Sequence, residues 1–215
     1  MEGGVLPHAN EKAATIFNTT RLRESIHKLL LQQFDETKFK LKIRMGAGEI
    51  NAKKFFLNSL SSDSNSILIV DVEGKNQGEK IENKEAKLKI LELEKESNQV
   101  FFMEREMEAW IISQCACIEA CARLENWTRI KANQKLEDDS NLRGKIITEI
   151  PYPSKKLEII VKRYYRRINK DNEKVRLQYG KLKHAPTMIE HLILSQLKKD
   201  FTEVDRLLDY ITNKQ

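Results

Sequence analysis

The period of apolar and polar positions changes along this chain. From about Ala13 to Phe34, the residues Leu22, Ile26, Leu29, Leu30 and Phe34 recur at helical steps, separated by Arg21, Arg23, Glu24 and Lys28. That spacing predicts an amphipathic helix ahead of the main fold, an extension or partner surface. Phe39-Lys40-Leu41-Lys42-Ile43-Arg44-Met45 then alternates strictly, as a strand with one polar face does. Gly46-Ala47-Gly48-Glu49 reads as the turn after it, and Asn51 to Leu60 as a second helix.

Ser66-Ile67-Leu68-Ile69-Val70-Asp71-Val72-Glu73-Gly74 departs from that alternation. Four consecutive aliphatic residues followed by a turn signal predict a strand buried on both faces, with Ile67 to Val70 at its centre. Residues 80–97 form a charge-rich helical stripe through Ile81, Leu88 and Leu91. Gln99 to Met103 reads as a third strand, and Glu104 to Arg123 as a long helix carrying Met107, Trp110, Ile111, Ile118 and Ala122. Strand and helix therefore alternate over 39–123, which predicts parallel strands joined by right-handed crossovers. Residues 124–153 are polar and irregular and read as a linker or insertion. The chain from 154 to 215 reads as helical, over Ser154–Arg167, Pro186–Lys199 and Phe201–Thr212. The expected organisation is a tail and helix (1–38), an α/β core (39–123), a linker (124–153) and a helical extension (154–215).

Composition narrows the function. Of 215 residues, 40% are hydrophobic and 33% charged, enough to bury a core. No apolar run approaches the ~18 residues of a membrane span, and the N-terminus lacks the pattern of a signal peptide. Cys115, Cys117 and Cys121 match no zinc spacing and read as packing residues of a cytoplasmic protein. The net charge is +6, yet eleven Lys or Arg against three acids lie between Lys155 and His184, a local excess of eight. A basic block in an otherwise slightly acidic chain points to a polyanion partner. Lys162, Arg163, Arg166 and Arg167 cluster on the expected helix with Tyr164 and Tyr165 between them. Cations there neutralise phosphates and aromatics stack on unpaired bases; a solvated face, or a surface docking an acidic partner, gives the same pattern. Lys155, Lys156, Lys181 and Lys183 extend the block.

The predicted strand ends deliver acids to one edge of one sheet: Glu49, then Asp71 and Glu73, then Glu104, Glu106 and Glu108. Side chains alternate along a strand, so Asp71 and Glu73 share a side. Ligands bind beyond the carboxyl ends of such strands, and clustered carboxylates suit a hard divalent cation. The helix macrodipole also favours acids in a first turn, which accounts for Glu104, Glu106 and Glu108 without a metal.

These residues carry a likeness. A strand ending Asp71-Val72-Glu73 after the Gly46-Ala47-Gly48 turn resembles the Toprim domain, the magnesium-dependent catalytic domain of topoisomerases, primases and overcoming-lysogenization-defect nucleases. Met107-Glu108-Ala109-Trp110, Ser154-Lys155-Lys156, and Tyr179-Gly180-Lys181 followed by His184 resemble a bacterial branch of small Toprim-like proteins. Members of that branch are encoded beside AAA- or ABC-type ATPases in anti-phage defence loci. The likeness covers roughly residues 39–195. It implies a Toprim-like (Rossmann-like) parallel sheet and a Mg2+- (or Mn2+-) dependent nuclease acting on DNA or RNA with an ATPase partner, and it admits a homo-oligomer. Asp71, Glu73 and Glu108 are then the metal ligands, with Glu49 and His184 as further catalytic groups. The chain departs from the pattern at Met45, where Toprim domains carry a glutamate. That departure keeps a second expectation open, a non-catalytic subunit of an ATPase complex. A nucleotide-binding α/β protein is disfavoured, because the glycine turn lacks a Walker lysine and the full dinucleotide spacing.

Overall fold

The structure is a computed structural model and describes residues 12–35, 37, 40–46, 48–62, 65–72, 84–169 and 172–213. It is a mixed α/β fold. The elements run α1 (Lys12–Leu30), α2 (Glu49–Leu60), β1 (Leu68–Asp71), α3 (Lys84–Leu91), β2 (Val100–Met103), α4 (Met107–Ser113), α5 (Cys115–Leu124) and β3 (Thr128–Arg129). They continue with α6 (Pro153–Tyr164), β4 (Tyr165–Ile168), β5 (Lys174–Arg176), α7 (Lys181–Ile189), α8 (Leu194–Asp200) and α9 (Thr202–Thr212). Among the described residues no helix is long and apolar enough to cross a membrane.

β1 and β2 pair in parallel, with Leu68 opposite Val100 and Asp71 opposite Met103. Both faces of the pair are covered, as the apolar run requires. Leu68, Val70, Val100 and Phe102 pack with Ala52 and Phe56 of α2 and Leu91 of α3. Phe101 and Met103 face the larger core, against which Ile67 and Ile69 also pack. The far edge of β2 is closed by side chains of α9. Glu203 Oε2 accepts the Phe102 amide at 3.0 Å, and Arg206 Nη2 donates to the Val100 carbonyl. Two side chains thereby stand in for a neighbouring strand and blunt an edge open to further pairing.

The alternating segment before the glycine turn differs from expectation. Residues 40–46 belong to no strand. Their exposure still alternates, and Leu41, Ile43 and Met45 pack on the larger core. A cleft of about 720 Å³, lined by Lys40, Leu41, Lys42, Ile67 and Leu68 among others, separates them from the start of β1. The pattern therefore reports a half-buried segment without a ladder partner. Of the expected turn, Ala47 lies outside the described residues and Glu49 already opens α2; a Cβ on Gly46 would lie 2.5 Å from that of Ala52, and Gly48 has φ +115°. Both positions therefore require glycine.

α1 is not a free partner surface. Leu22, Ile26, Leu29 and Leu30 are buried in the larger core, each contributing roughly 1.5–3 kcal/mol. Arg21 donates to Thr187 at 3.2 Å and Lys28 pairs with Glu190 at 2.8 Å, fastening α1 along α7. The expected helix over 104–123 is two helices broken at Gln114. The Gln114 amide bonds both backbone groups of Ile193, donating at 3.1 Å and accepting at 2.8 Å. Residues 124–153 are more than a linker: Trp127, Leu136, Leu142 and Ile150 are buried in the core. The last correction concerns the basic helix. α6 ends at Tyr164, and Tyr165–Ile168 form the middle strand of an antiparallel β3-β4-β5 sheet.

Candidate functional site

The carboxyl ends of β1 and β2 lie side by side, where the Val72 amide donates to the Met103 carbonyl at 3.3 Å. Beyond Met103 the chain turns sharply into α4. Arg105 has φ 79° there, a conformation that non-glycine residues adopt at a cost, and its Nε donates to the Thr148 carbonyl at 3.0 Å. Glu106 follows as the N-cap of α4. Its Oε2 accepts the Ser154 amide at 2.7 Å, so one carboxylate joins the start of α4 to the first turn of α6.

Glu108 occupies the first turn of α4 and is fully buried. Its Oε1 accepts from the Tyr179 hydroxyl at 3.1 Å. Its Oε2 has no hydrogen bond and meets the Lys181 ammonium at 3.4 Å. Burial pushes the Glu108 carboxyl above its ordinary value, against the pull of Lys181. Lys181 opens α7. Burial acts to lower its pKa, but the negative charges of Glu108, Asp71 and Glu106 outweigh that and hold it above the ordinary lysine value. Asp71, Glu106 and Glu108, from the ends of two adjacent parallel strands, thus act on one ammonium. Burial and the neighbouring Glu108 also push the Tyr179 phenol well up, so it stays a donor.

The donor set at this place is oxygen. Among the described residues no three His, Cys, Asp or Glu side chains converge as a metal cage, and Glu73 lies outside the described residues. Asp71 and Glu108 supply oxygen donors of the type that Mg2+ or Mn2+ takes. Magnesium is usually held by one or two carboxylates together with substrate phosphates, and the buried Oε2 of Glu108, short of a hydrogen bond, is an atom that a cation would satisfy.

Two further expected residues go elsewhere. Glu49 opens α2, and its Oε2 pairs with the buried Lys87 of α3 at 2.6 Å. His184 is buried in α7, where its Nδ1 accepts the Gly180 amide at 2.9 Å. Its ring lies edge-on to Trp127, centroids 5.1 Å apart. Burial holds its pKa below the ordinary value. The imidazole is therefore neutral, and it supports the turn that carries Tyr179 and Lys181.

The basic residues are dispersed. Lys181 belongs to the carboxylate cluster. Lys155 sits 4.6 Å over the Tyr152 ring, Lys156 is half-buried and Lys183 is exposed. Lys162 pairs with Glu158 at 2.5 Å. Arg163 pairs at 2.6 Å with Asp139, whose side chain is wholly buried. Arg166 and Arg167 lie on β4. Tyr164 and Tyr165 are buried, so neither offers a face to a base; Arg129 stacks on both rings instead. The cysteines are buried and free. Burial pushes Cys115 and Cys121 up to about 12 and Cys117 well above its ordinary value, which leaves them protonated and unreactive. Sequence reasoning missed the role of Lys181, assigned to nucleic acid, and the strut made by Glu106. The Tyr179-Gly180-Lys181 spacing was the available signal for the first; nothing local marks the second.

Neither a curated protein nor a solved structure matches the chain. One family model does, that of a domain of unknown function, DUF4276, over residues 4–212. With nearly the whole sequence covered, the chain belongs to the DUF4276 family.

Proposed function

We propose that this protein is a Mg2+- or Mn2+-dependent nuclease of the Toprim type that hydrolyses phosphodiesters in the bacterial cytoplasm, in anti-phage defence beside an AAA- or ABC-type ATPase. The observation that carries the reading is the fully buried Glu108 carboxylate meeting Lys181 at 3.4 Å just beyond the carboxyl end of β2, beside Asp71 at the end of β1. That is where open α/β sheets bind ligands. Asp71, Glu73 and Glu108 would hold the cation, which would supply an activated water and stabilise the leaving oxygen. Tyr179 orients Glu108. Lys181 offsets the carboxylate charge of Glu108 and, with 43% of its side chain exposed, would meet a substrate phosphate.

A second reading has its own support. Met45 stands where Toprim domains carry a glutamate and packs on the larger core, while Glu49 is held by Lys87. A chain without that acid suits a non-catalytic subunit that uses the fold to engage an ATPase.

One experiment separates them. The protein, with and without the ATPase encoded beside it, is incubated with DNA and RNA in Mg2+ or Mn2+. The nuclease reading expects cutting that Asp71→Ala abolishes with the fold intact. Full phage protection by Asp71→Ala in cells establishes the binding subunit instead.

A further inference from the structure

The β4–β5 hairpin carries a set of cations that nothing in the carboxylate cluster uses. Arg166 on the middle strand stands directly opposite Arg176 on β5 and, on its other side, opposite Thr128 of β3. One step along the same face, Ile168 stands opposite Lys174. This face is therefore Thr128, Arg166, Arg176, Ile168 and Lys174. The opposite face carries Tyr165, which is buried, with Arg167 and Val175. Arg176, Lys174 and Ile168 are exposed. Among the described residues none of Arg166, Arg167, Lys174 and Arg176 is in an ion pair with an acid. Arg166 donates through Nη1 to the carbonyls of Lys162 and Tyr165, at 2.6 and 2.7 Å. The one described acid at the turn, Glu173, is bound to Asn169 at 3.2 Å.

Like charges directly opposite across a ladder are destabilising. Arg166 and Arg176 are directly opposed, and an anionic ligand shared between them would offset their repulsion. We infer that this hairpin face is a nucleic-acid-binding ribbon, its cations spread along a phosphate backbone and the exposed Ile168 at its outer end. Beyond Arg166 the sheet narrows to β4 and β5 alone, and a two-stranded β-ribbon has the width to enter the major groove of a duplex. The inference rests on the nuclease reading for its choice of ligand, and it assigns that ligand to Lys174 and Arg176 as well as to Arg166.

Helix α6 fixes where the ribbon lies relative to the carboxylates. Its first turn bonds Glu106 through Ser154, and its last turn bonds Arg166 through Lys162. Twelve residues of helix span about 18 Å at 1.5 Å per residue. At 3.4 Å per base step that is about five steps. A substrate engaging both places must be longer than that.

The test is fluorescence anisotropy of labelled duplex DNA, duplex RNA and single strands in EDTA, so that chemistry plays no part. Lys174→Ala with Arg176→Ala should lower the slope of log affinity against log salt by about two, since each lost phosphate contact removes about one. Lys174→Arg with Arg176→Lys should keep the slope. Arg176→Ala alone should weaken binding while leaving the thermal midpoint unchanged or higher, because it relieves the Arg166 repulsion; a merely structural arginine would lower it. The tightest of the three ligands identifies the substrate. Affinity and slope unchanged in the double variant overturn the inference, as does loss of binding to an acidic polypeptide but not to nucleic acid. If the double variant loses nucleic acid and no condition yields cutting, the ribbon stands and the nuclease reading falls.

Discussion

Lys181 and Glu108 meet at 3.4 Å, one partner with 43% of its side chain exposed and the other with none. The pair is lopsided: the ammonium keeps water, and the carboxylate depends on Lys181 and Tyr179. Removing the lysine strands a buried charge. Lys181→Ala should cost about 1–3 kcal/mol, less than the ~3–5 of a fully buried pair because water screens the exposed partner. Lys181→Ala combined with Glu108→Gln should recover part of the loss. Urea denaturation of the three variants measures it.

Proton linkage offers a second check. Burial raises the folded Glu108 carboxyl, so the folded state holds its proton more tightly than the unfolded chain. The resulting stability is fully present below the unfolded value of about 4.3 and is lost as pH rises through the folded value. A cation must displace the same proton, so Mn2+ affinity should climb with pH across that window. Calorimetric Mn2+ titrations over the weakly acidic range should show this slope, and Glu108→Gln should flatten it and weaken binding.

Arg163 and Lys174 separate fold from binding. Arg163 neutralises Asp139, whose side chain is fully buried, and the hydrogen bonds of Asn141 and Arg163 hold that acid below its ordinary value despite the opposing effect of burial. Arg163→Ala should cost about 1–3 kcal/mol through the stranded carboxylate. Lys174→Ala on exposed β5 should stay within about 0.5 kcal/mol and reduce nucleic-acid affinity. Thermal melts and anisotropy on the same two proteins give both readings.

The legible parts of the fold were those whose signal is local. The apolar run ending at Asp71 and the run from Val100 to Met103 announced two parallel strands, and the Gly46 and Gly48 turn announced itself by residue type. What escaped depends on partners distant in sequence. Gln114 breaks a helix because Ile193 accepts and donates to its amide. Residues 40–46 have strand periodicity, yet a cleft lies where a ladder would be. Arg166 and Arg167 followed a helical register that Tyr165 ends by turning extended. At the site, acids after strand ends were readable from spacing; that Lys181 would be the group they surround was not, since it lies more than 70 residues beyond Glu108 in the chain.

Glu203 should govern part of the acid limb of stability. Burial acts to raise its pKa, but hydrogen bonds from Arg206, Lys84 and the Phe102 amide outweigh that and hold it below the ordinary value. Its contribution is therefore present above the unfolded pKa of about 4.3 and is lost as pH falls through the folded value. Glu203→Gln should show a shallower loss of stability on acidification, followed by circular dichroism.

The same closure of β2 has a consequence for biosynthesis. Phe102 and Glu203 are 101 residues apart. At roughly 5–20 residues per second, translation delivers α9 about 5–20 s after β2. During that interval a newborn strand of four apolar residues has an uncapped edge on the ribosome. Nascent chains stalled before Thr202 should accordingly recruit holdase chaperones, and release of α9 should dismiss them.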